Sequence, residues 1–154
     1  MMKILVLSDS HGSINECMEA VEQAGSINGI IHLGDLSHDA EDLSAIYPNI
    51  PIEYVTGNNE FGSLAPYEKI IMLGGKRVFI THGHHYRVKS TLGDLYYKAK
   101  VAKLDLVLYG HTHFPNEEFK EGVWYVNPGS IRYMGSYCIV EIIDNKIKIS
   151  LKNI

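Results

Sequence analysis

Lys3-Ile4-Leu5-Val6-Leu7-Ser8-Asp9-Ser10-His11-Gly12 decides how the rest of the chain is read. Ile4 to Leu7 is an unbroken apolar run, as a buried strand requires, and it stops at Ser8-Asp9. The same device recurs downstream. Ile30 to Leu33 runs into Gly34-Asp35, and Glu53 to Thr56 runs into Gly57-Asn58. Between these strands lie helical patterns. Ile14, Met18, Val21 and Ala24 fall at helical spacing behind a Ser13/Glu16 capping box, and Gly25 is placed to stop the helix. A shorter helix is expected from Asp39 to Ile46, before Pro48. The order β-α-β-α-β favours parallel strands.

The texture changes from Lys69. Lys69–Leu73 and Arg77–Thr81 flank Gly74-Gly75, a two-residue hairpin turn. Thr91 with Asp94 can cap a third helix whose apolar face is Leu92, Leu95, Tyr96, Ala99 and Ala102. Leu106–Tyr109 is a strand leading to Gly110-His111. Val123–Val126, Tyr137–Ile143 and Lys146–Leu151 alternate like antiparallel strands, with Asp144-Asn145 as a turn. The expectation is one α/β domain over residues 1–154, with two packed sheets, each partner to outer helices.

Composition narrows the function. At 154 residues, 45% hydrophobic and 21% charged, the chain fits one water-soluble core. A net charge of −4 argues against non-specific binding to polymeric nucleic acid, which needs excess Lys and Arg. A nucleotide substrate is not excluded, because metal ions can supply local positive charge. Cys17 and Cys138 lie in no ligand-like spacing, so neither a disulfide framework nor a zinc finger is expected. No apolar run matches a signal peptide or a membrane span, and a reducing, cytoplasmic setting is the default expectation.

The chemistry gathers at strand ends, where doubly wound sheets bind ligands. Asp9, Asp35, Asn58, His82 and His111 each follow an expected strand, and His11 and His113 stand two residues beyond Asp9 and His111. In extended backbone, residues i and i+2 project to one side, so each pair can address one region of space. Carboxylate and amide oxygens mixed with imidazoles suit divalent transition ions: manganese first, with nickel, iron or zinc also compatible. Two such ions about 3.5–4 Å apart are a recurring device for phosphoester hydrolysis. With the carboxylates of Asp9 and Asp35 and five neutral ligands, two divalent ions leave a centre of about +2, or about +1 with a bridging hydroxide. That charge attracts a phosphate anion.

Taken in order, Asp-x-His, Gly-Asp, Gly-Asn, His-Gly and Gly-x-His-x-His resemble the calcineurin-like metallophosphoesterases, from Asp9 to about Ser130. The small size, His82-Gly83-His84 and Asn127-Pro128-Gly129-Ser130 look most like the compact prokaryotic phosphodiesterase branch, which shares its fold with the retromer scaffold subunit. The resemblance implies a four-layer α/β/β/α sandwich with two mixed sheets. It assigns one metal to Asp9, His11 and His113, the other to Asn58, His82 and His111, and a bridging role to Asp35. It implies hydrolysis of a small phosphodiester or nucleotide-like substrate by a metal-bridging hydroxide. Homo-oligomers are compatible with it, and a membrane partner is not expected.

One departure stands out. Much of the superfamily has a histidine after Gly-Asn that contacts the phosphate or protonates the leaving group, and here the residue is Asn59. An amide can donate a hydrogen bond to a phosphoryl oxygen but cannot deliver a proton. Glu60 keeps the acidic position that orients that histidine elsewhere in the family. His84 is a candidate substrate contact or acid. Plainer readings cover the rest. His32, inside an apolar strand, reads as a hydrogen-bonded core residue or a partner behind the ligands. His38, Arg87 and Arg132 read as surface residues, Tyr86 and Tyr133 as pocket-lining candidates, and Asn127–Ser130 as a turn before a site wall. The alternatives to an enzyme are a binding scaffold of the same fold or a metal-storing domain. A scaffold has no reason to keep seven coordinating residues in place.

Overall fold

The computed structural model describes residues 1–154. Ten strands and three helices follow in the order β1 (Met2–Leu7), α1 (Ile14–Ala24), β2 (Gly29–His32), α2 (Ser37–Ile46), β3 (Ile52–Tyr54), β4 (Glu68–Leu73), β5 (Lys76–Thr81), α3 (Gly93–Ala102), β6 (Leu106–Leu108), β7 (Asn116–Lys120), β8 (Val123–Asn127), β9 (Ser136–Ile143) and β10 (Lys146–Asn153). They form two five-stranded mixed sheets, ordered β10-β9-β1-β2-β3 and β4-β5-β6-β8-β7. The pairs β1/β2, β2/β3, β5/β6 and β6/β8 are parallel, and the flanking strands are antiparallel.

Strand alternation explains the layering. Ile4 and Val6 of β1, Val78 and Ile80 of β5, Leu106 and Leu108 of β6, and Cys138 and Val140 of β9 meet in one core between the sheets. The intervening residues point outward. Leu5, Leu7 and Ile139 pack under α1 and α2 with Cys17, Ala20, Val21 and Leu43, while Phe79 and Val107 pack under α3 with Leu95 and Ala99. Apolar runs without polar alternation are therefore covered on both faces, which yields the expected α/β/β/α sandwich. No helix is long and apolar enough to cross a membrane. Cys17 and Cys138 are buried free thiols.

Several local expectations need correction. Ser13 precedes α1 but makes no side-chain cap bond; its backbone (φ −82°, ψ 63°) is not the extended conformation a capping box uses. Gly25 does end α1, at φ 74°. Helix α2 starts at Ser37 rather than Asp39, because the Glu60 carboxylate, from a distant loop, accepts from the Ser37 N–H. Leu92 rather than Thr91 stands at the N-cap of α3, although Thr91 Oγ1 accepts from the Gly93 N–H at 3.2 Å, and Asp94 pairs with Arg87 at 2.9 and 3.0 Å. The β4–β5 turn is as expected, with Gly74 and Gly75 at φ 54° and 82°. Strand β7 was not expected; it is a charged, exposed edge strand.

Candidate metal centre

Parallel pairing sets the site. Because β1, β2 and β3 run the same way, as do β5 and β6, the loops after these five strands leave at the carboxyl ends of their sheets. Those loops carry Asp9 and His11, Asp35, Asn58 and Asn59, His82 and His84, and His111 and His113. The pairs do meet, but through left-handed turns rather than the expected extended backbone. Asp9, His11, Asp35, His111 and His113 adopt left-handed φ values of 53°, 43°, 47°, 71° and 71°. Such angles are costly for non-glycine residues and cluster at functional sites.

Asp9 lies at the centre. Its Oδ2 accepts from Ser8 Oγ at 2.5 Å and from the His111 N–H at 3.1 Å. Its Oδ1 is buried and has no hydrogen-bond partner. That oxygen lies 3.3 Å from His113 Nε2, 3.8 Å from His82 Nε2 and 3.9 Å from His11 Nε2. Asp9, His11 and His113 form one group able to hold an ion, and Asp9, Asp35 and His82 form another. His82 Nε2 is 3.6 Å from Asp35 Oδ2 and 3.2 Å from His111 Nδ1. His82 Nδ1 faces the Leu33 carbonyl at 2.8 Å. A carbonyl only accepts, so Nδ1 carries the proton and Nε2 turns its lone pair to the cluster. Several acceptor atoms converging around an unmet buried oxygen fit a cation well.

Burial, reinforced by the neighbouring His82, pushes His111 down to about 4, so its ring is neutral near pH 7 and free to ligate. Burial and the adjacent His85 do the same to His84, also to about 4. The His84 ring lies 5.5 Å from that of His82, and its Nδ1 is buried without a partner. Asn59 is engaged with Asp35: its N–H reaches Oδ1 at 3.1 Å and its side-chain amide reaches Oδ2 at 2.8 Å. Asn58 is exposed, between Asn59 and Gly57. A Cβ at Gly57 would lie 2.0 Å from Asp35 Oδ1, and one at Gly110 2.1 Å from Ser8 Oγ, so both glycines serve close approach. Glu60 binds the Gly57 and Ser37 N–H groups and so ties its loop to α2.

Other residues prove to be brackets. Asn127 donates to the Gly110 carbonyl and to Thr112 Oγ1, at 3.2 and 2.9 Å, which fixes the turn carrying His111. Ser130 Oγ donates to the Asp9 carbonyl at 2.8 Å. The Asn127–Ser130 stretch therefore fastens two ligand loops together rather than forming a plain turn. Arg132 is exposed, as expected, yet donates to the His11 carbonyl at 3.0 Å. Tyr133 stacks on His113 with centroids 5.1 Å apart, whereas Tyr86 bonds to Glu68 beside α3. His38 is exposed near Glu41. Ser8, Ser10 and Asp39 join the site without a motif to announce them, although a serine ending a buried strand, as Ser8 does, is a local signal.

The calcineurin-like phosphoesterase superfamily domain matches residues 2–145. YsnB, a probable metallophosphoesterase of Bacillus subtilis (strain 168), is 33% identical over 133 residues, covering 85% of this chain and 76% of that one. Phosphodiesterase MJ0936 of Methanocaldococcus jannaschii is 29% identical over 167 residues, covering 96% and 95%. A conserved uncharacterised protein of Streptococcus pneumoniae TIGR4, described as a predicted phosphoesterase, superposes with a TM-score of 0.84 at 28% identity, over 99% of this chain and 89% of that one. Vps29 of Entamoeba histolytica, solved with zinc, shares the fold with a TM-score of 0.76 at 19% identity, over 98% of each chain.

Proposed function

The chain belongs to the calcineurin-like phosphoesterase superfamily, and from that premise we propose that it is a dinuclear metal-dependent phosphodiesterase acting on small phosphodiesters or nucleotide-like substrates. The observation that carries this reading is the buried, unpartnered Asp9 Oδ1 ringed by imidazole nitrogens. Asp9, His11 and His113 would hold one ion, Asn58, His82 and His111 the other, and Asp35 has two oxygens to share between them. Manganese is the first expectation, and nickel, iron or zinc suit the same donors. When bound, a divalent ion pair supplies an acidified water and positive charge beside the phosphoryl oxygens.

The protein's own groups account for the rest. Asn59 spends one amide N–H on Asp35 and has a second free to donate to a phosphoryl oxygen. His84 is neutral near pH 7, so it serves as a substrate contact rather than as a strong acid. A site with a hydrogen-bond donor but no ready proton for the leaving group favours esters whose leaving group departs unaided. Aryl phosphodiesters are then hydrolysed much faster than alkyl ones.

The test uses metal-stripped protein, a chromogenic phosphodiester and a monoester, with manganese, nickel, zinc and magnesium returned singly. Diester turnover should return with a transition ion and vanish in Asp35→Ala. Metal binding with no turnover of either ester would replace the enzyme with a non-catalytic scaffold or storage domain. Equal aryl and alkyl rates would remove the leaving-group argument.

A further inference from the structure

Behind the candidate centre runs a second polar chain that ligand chemistry does not use. Ser10, His32 and Asp39 are 0%, 0% and 3% exposed. The Gly34 N–H donates to His32 Nδ1 at 3.1 Å, so Nδ1 is the acceptor and the neutral ring carries its proton on Nε2. That nitrogen lies 2.8 Å from Ser10 Oγ and donates to it. The Ser10 hydroxyl must then direct its own proton to Asp39 Oδ2, at 2.5 Å. The same Asp39 oxygen accepts from the Gly12 N–H at 2.8 Å. Every donor and acceptor along this path has one consistent direction.

The chain's ends explain its purpose. Gly34 precedes Asp35, while Ser10 and Gly12 flank His11 and Ser10 follows Asp9. We propose that Ser10, His32 and Asp39 are positioning residues that lock the Asp9–Gly12 loop to the Gly34–Asp35 loop and so hold the two carboxylates in register for metal binding. The backbone alone joins these loops through Asp9 N–H to the Gly34 carbonyl and His11 N–H to the Asp35 carbonyl, at 2.9 and 3.0 Å. Both of those bonds lie on residues in left-handed conformations. The side-chain path supplies a rigid back wall for a turn whose own backbone preference opposes its shape. The consequence for metal affinity rests on the proposed function; the coupling between loops does not.

Two measurements separate these parts. The first is amide hydrogen exchange on metal-free protein. Removing only the hydroxyl, Ser10→Ala, should speed exchange at both Gly12 and Gly34 about tenfold or more, although neither amide bonds to Ser10. His32→Asn, which retains an acceptor for Gly34 and loses the donor to Ser10, should speed Gly12 more than Gly34. Unchanged exchange at Gly34 in Ser10→Ala overturns the proposal. The second is a calorimetric manganese titration. Both variants should lose about 10–100-fold in affinity while the metal-free protein still unfolds in one cooperative transition. Wild-type affinity in both variants also overturns the positioning role. If the parent protein binds no manganese yet the exchange coupling is present, the loop lock stands and the metal-dependent function falls.

Discussion

Asp9→Asn replaces one oxygen with NH₂ at the centre of the ligand cluster, and its two effects should have opposite signs. Asp9 is completely buried, and only Oδ2 has partners, Ser8 Oγ at 2.5 Å and the His111 N–H at 3.1 Å. An amide oxygen can keep both bonds. The amide nitrogen then occupies the corner held by the orphaned Oδ1 and becomes a donor, with His113 Nε2 the nearest acceptor at 3.3 Å. An unmet buried acceptor costs about 1–3 kcal/mol and a typical hydrogen bond contributes about 1 kcal/mol, so metal-free protein should gain about 2 kcal/mol. For a chain of this length that corresponds to a rise in Tm of about 4–8 °C. With manganese the order reverses. A ligand present at about 100 times its Kd stabilises the native state by about 2.7 kcal/mol, and the neutral amide forfeits most of that. The assay is thermal unfolding with a chelator and again with excess manganese. A chelated variant melting below the parent refutes the reasoning about Oδ1; a variant keeping the full manganese increment refutes the placement of the ion.

Gly57→Ala should be disruptive although no side chain is lost. The contact with Asp35 Oδ1 must open from 2.0 Å to the 3.4 Å of ordinary contact, and that motion breaks the Asn59 bonds. We expect a loss of about 1–3 kcal/mol and a large drop in manganese affinity by calorimetry; parent-like affinity contradicts the close approach. Stability should also depend on His32. Burial, opposed by the Asp39 carboxylate, lowers its pKa from 6.5 to about 4, with His82 adding to the fall, Asp35 opposing it and His11 adding slightly. The unfolded chain binds the extra proton between those values, so this contribution is complete above about pH 6.5 and is lost as pH falls toward about 4. Urea unfolding of metal-free protein should lose about 2 kcal/mol from this group between about pH 6.5 and about pH 5, and His32→Asn should remove that slope. Burial pushes the Cys17 and Cys138 thiols up to about 12. Neither should react with thiol reagents in native protein at neutral pH, and mass spectrometry should find labelling only after unfolding.

Much of the architecture was legible because its signals are local. An apolar run that ends on Asp9 or Gly34-Asp35 announces both a buried strand and its functional end in a few residues. What escaped depends on distant partners. Helix α2 begins at Ser37 because Glu60, 23 positions away, meets its first N–H. Strand β7 lies at a sheet edge, and its Asn116-Glu117-Glu118-Phe119-Lys120 lacks the apolar alternation of an interior strand. For the centre, Asp9, Asp35, His82 and His111 followed from the strand ends, and their division between two ions only from the family resemblance. The means did not: the sequence suggested extended pairs, whereas left-handed turns aim those side chains. The amide of Asn59 suggests a substrate contact from sequence, and only the folding of two loops 24 positions apart gives it Asp35 as a partner.

The sheet topology has a mechanical consequence. Asp9, His11 and Asp35 hang from one sheet, and His82, His111 and His113 from the other. An ion gripped by both sets would act as a rivet through the sandwich at one rim. Depleting the metal should therefore loosen the seam between the layers at that rim first, while the helix-covered outer faces stay shut.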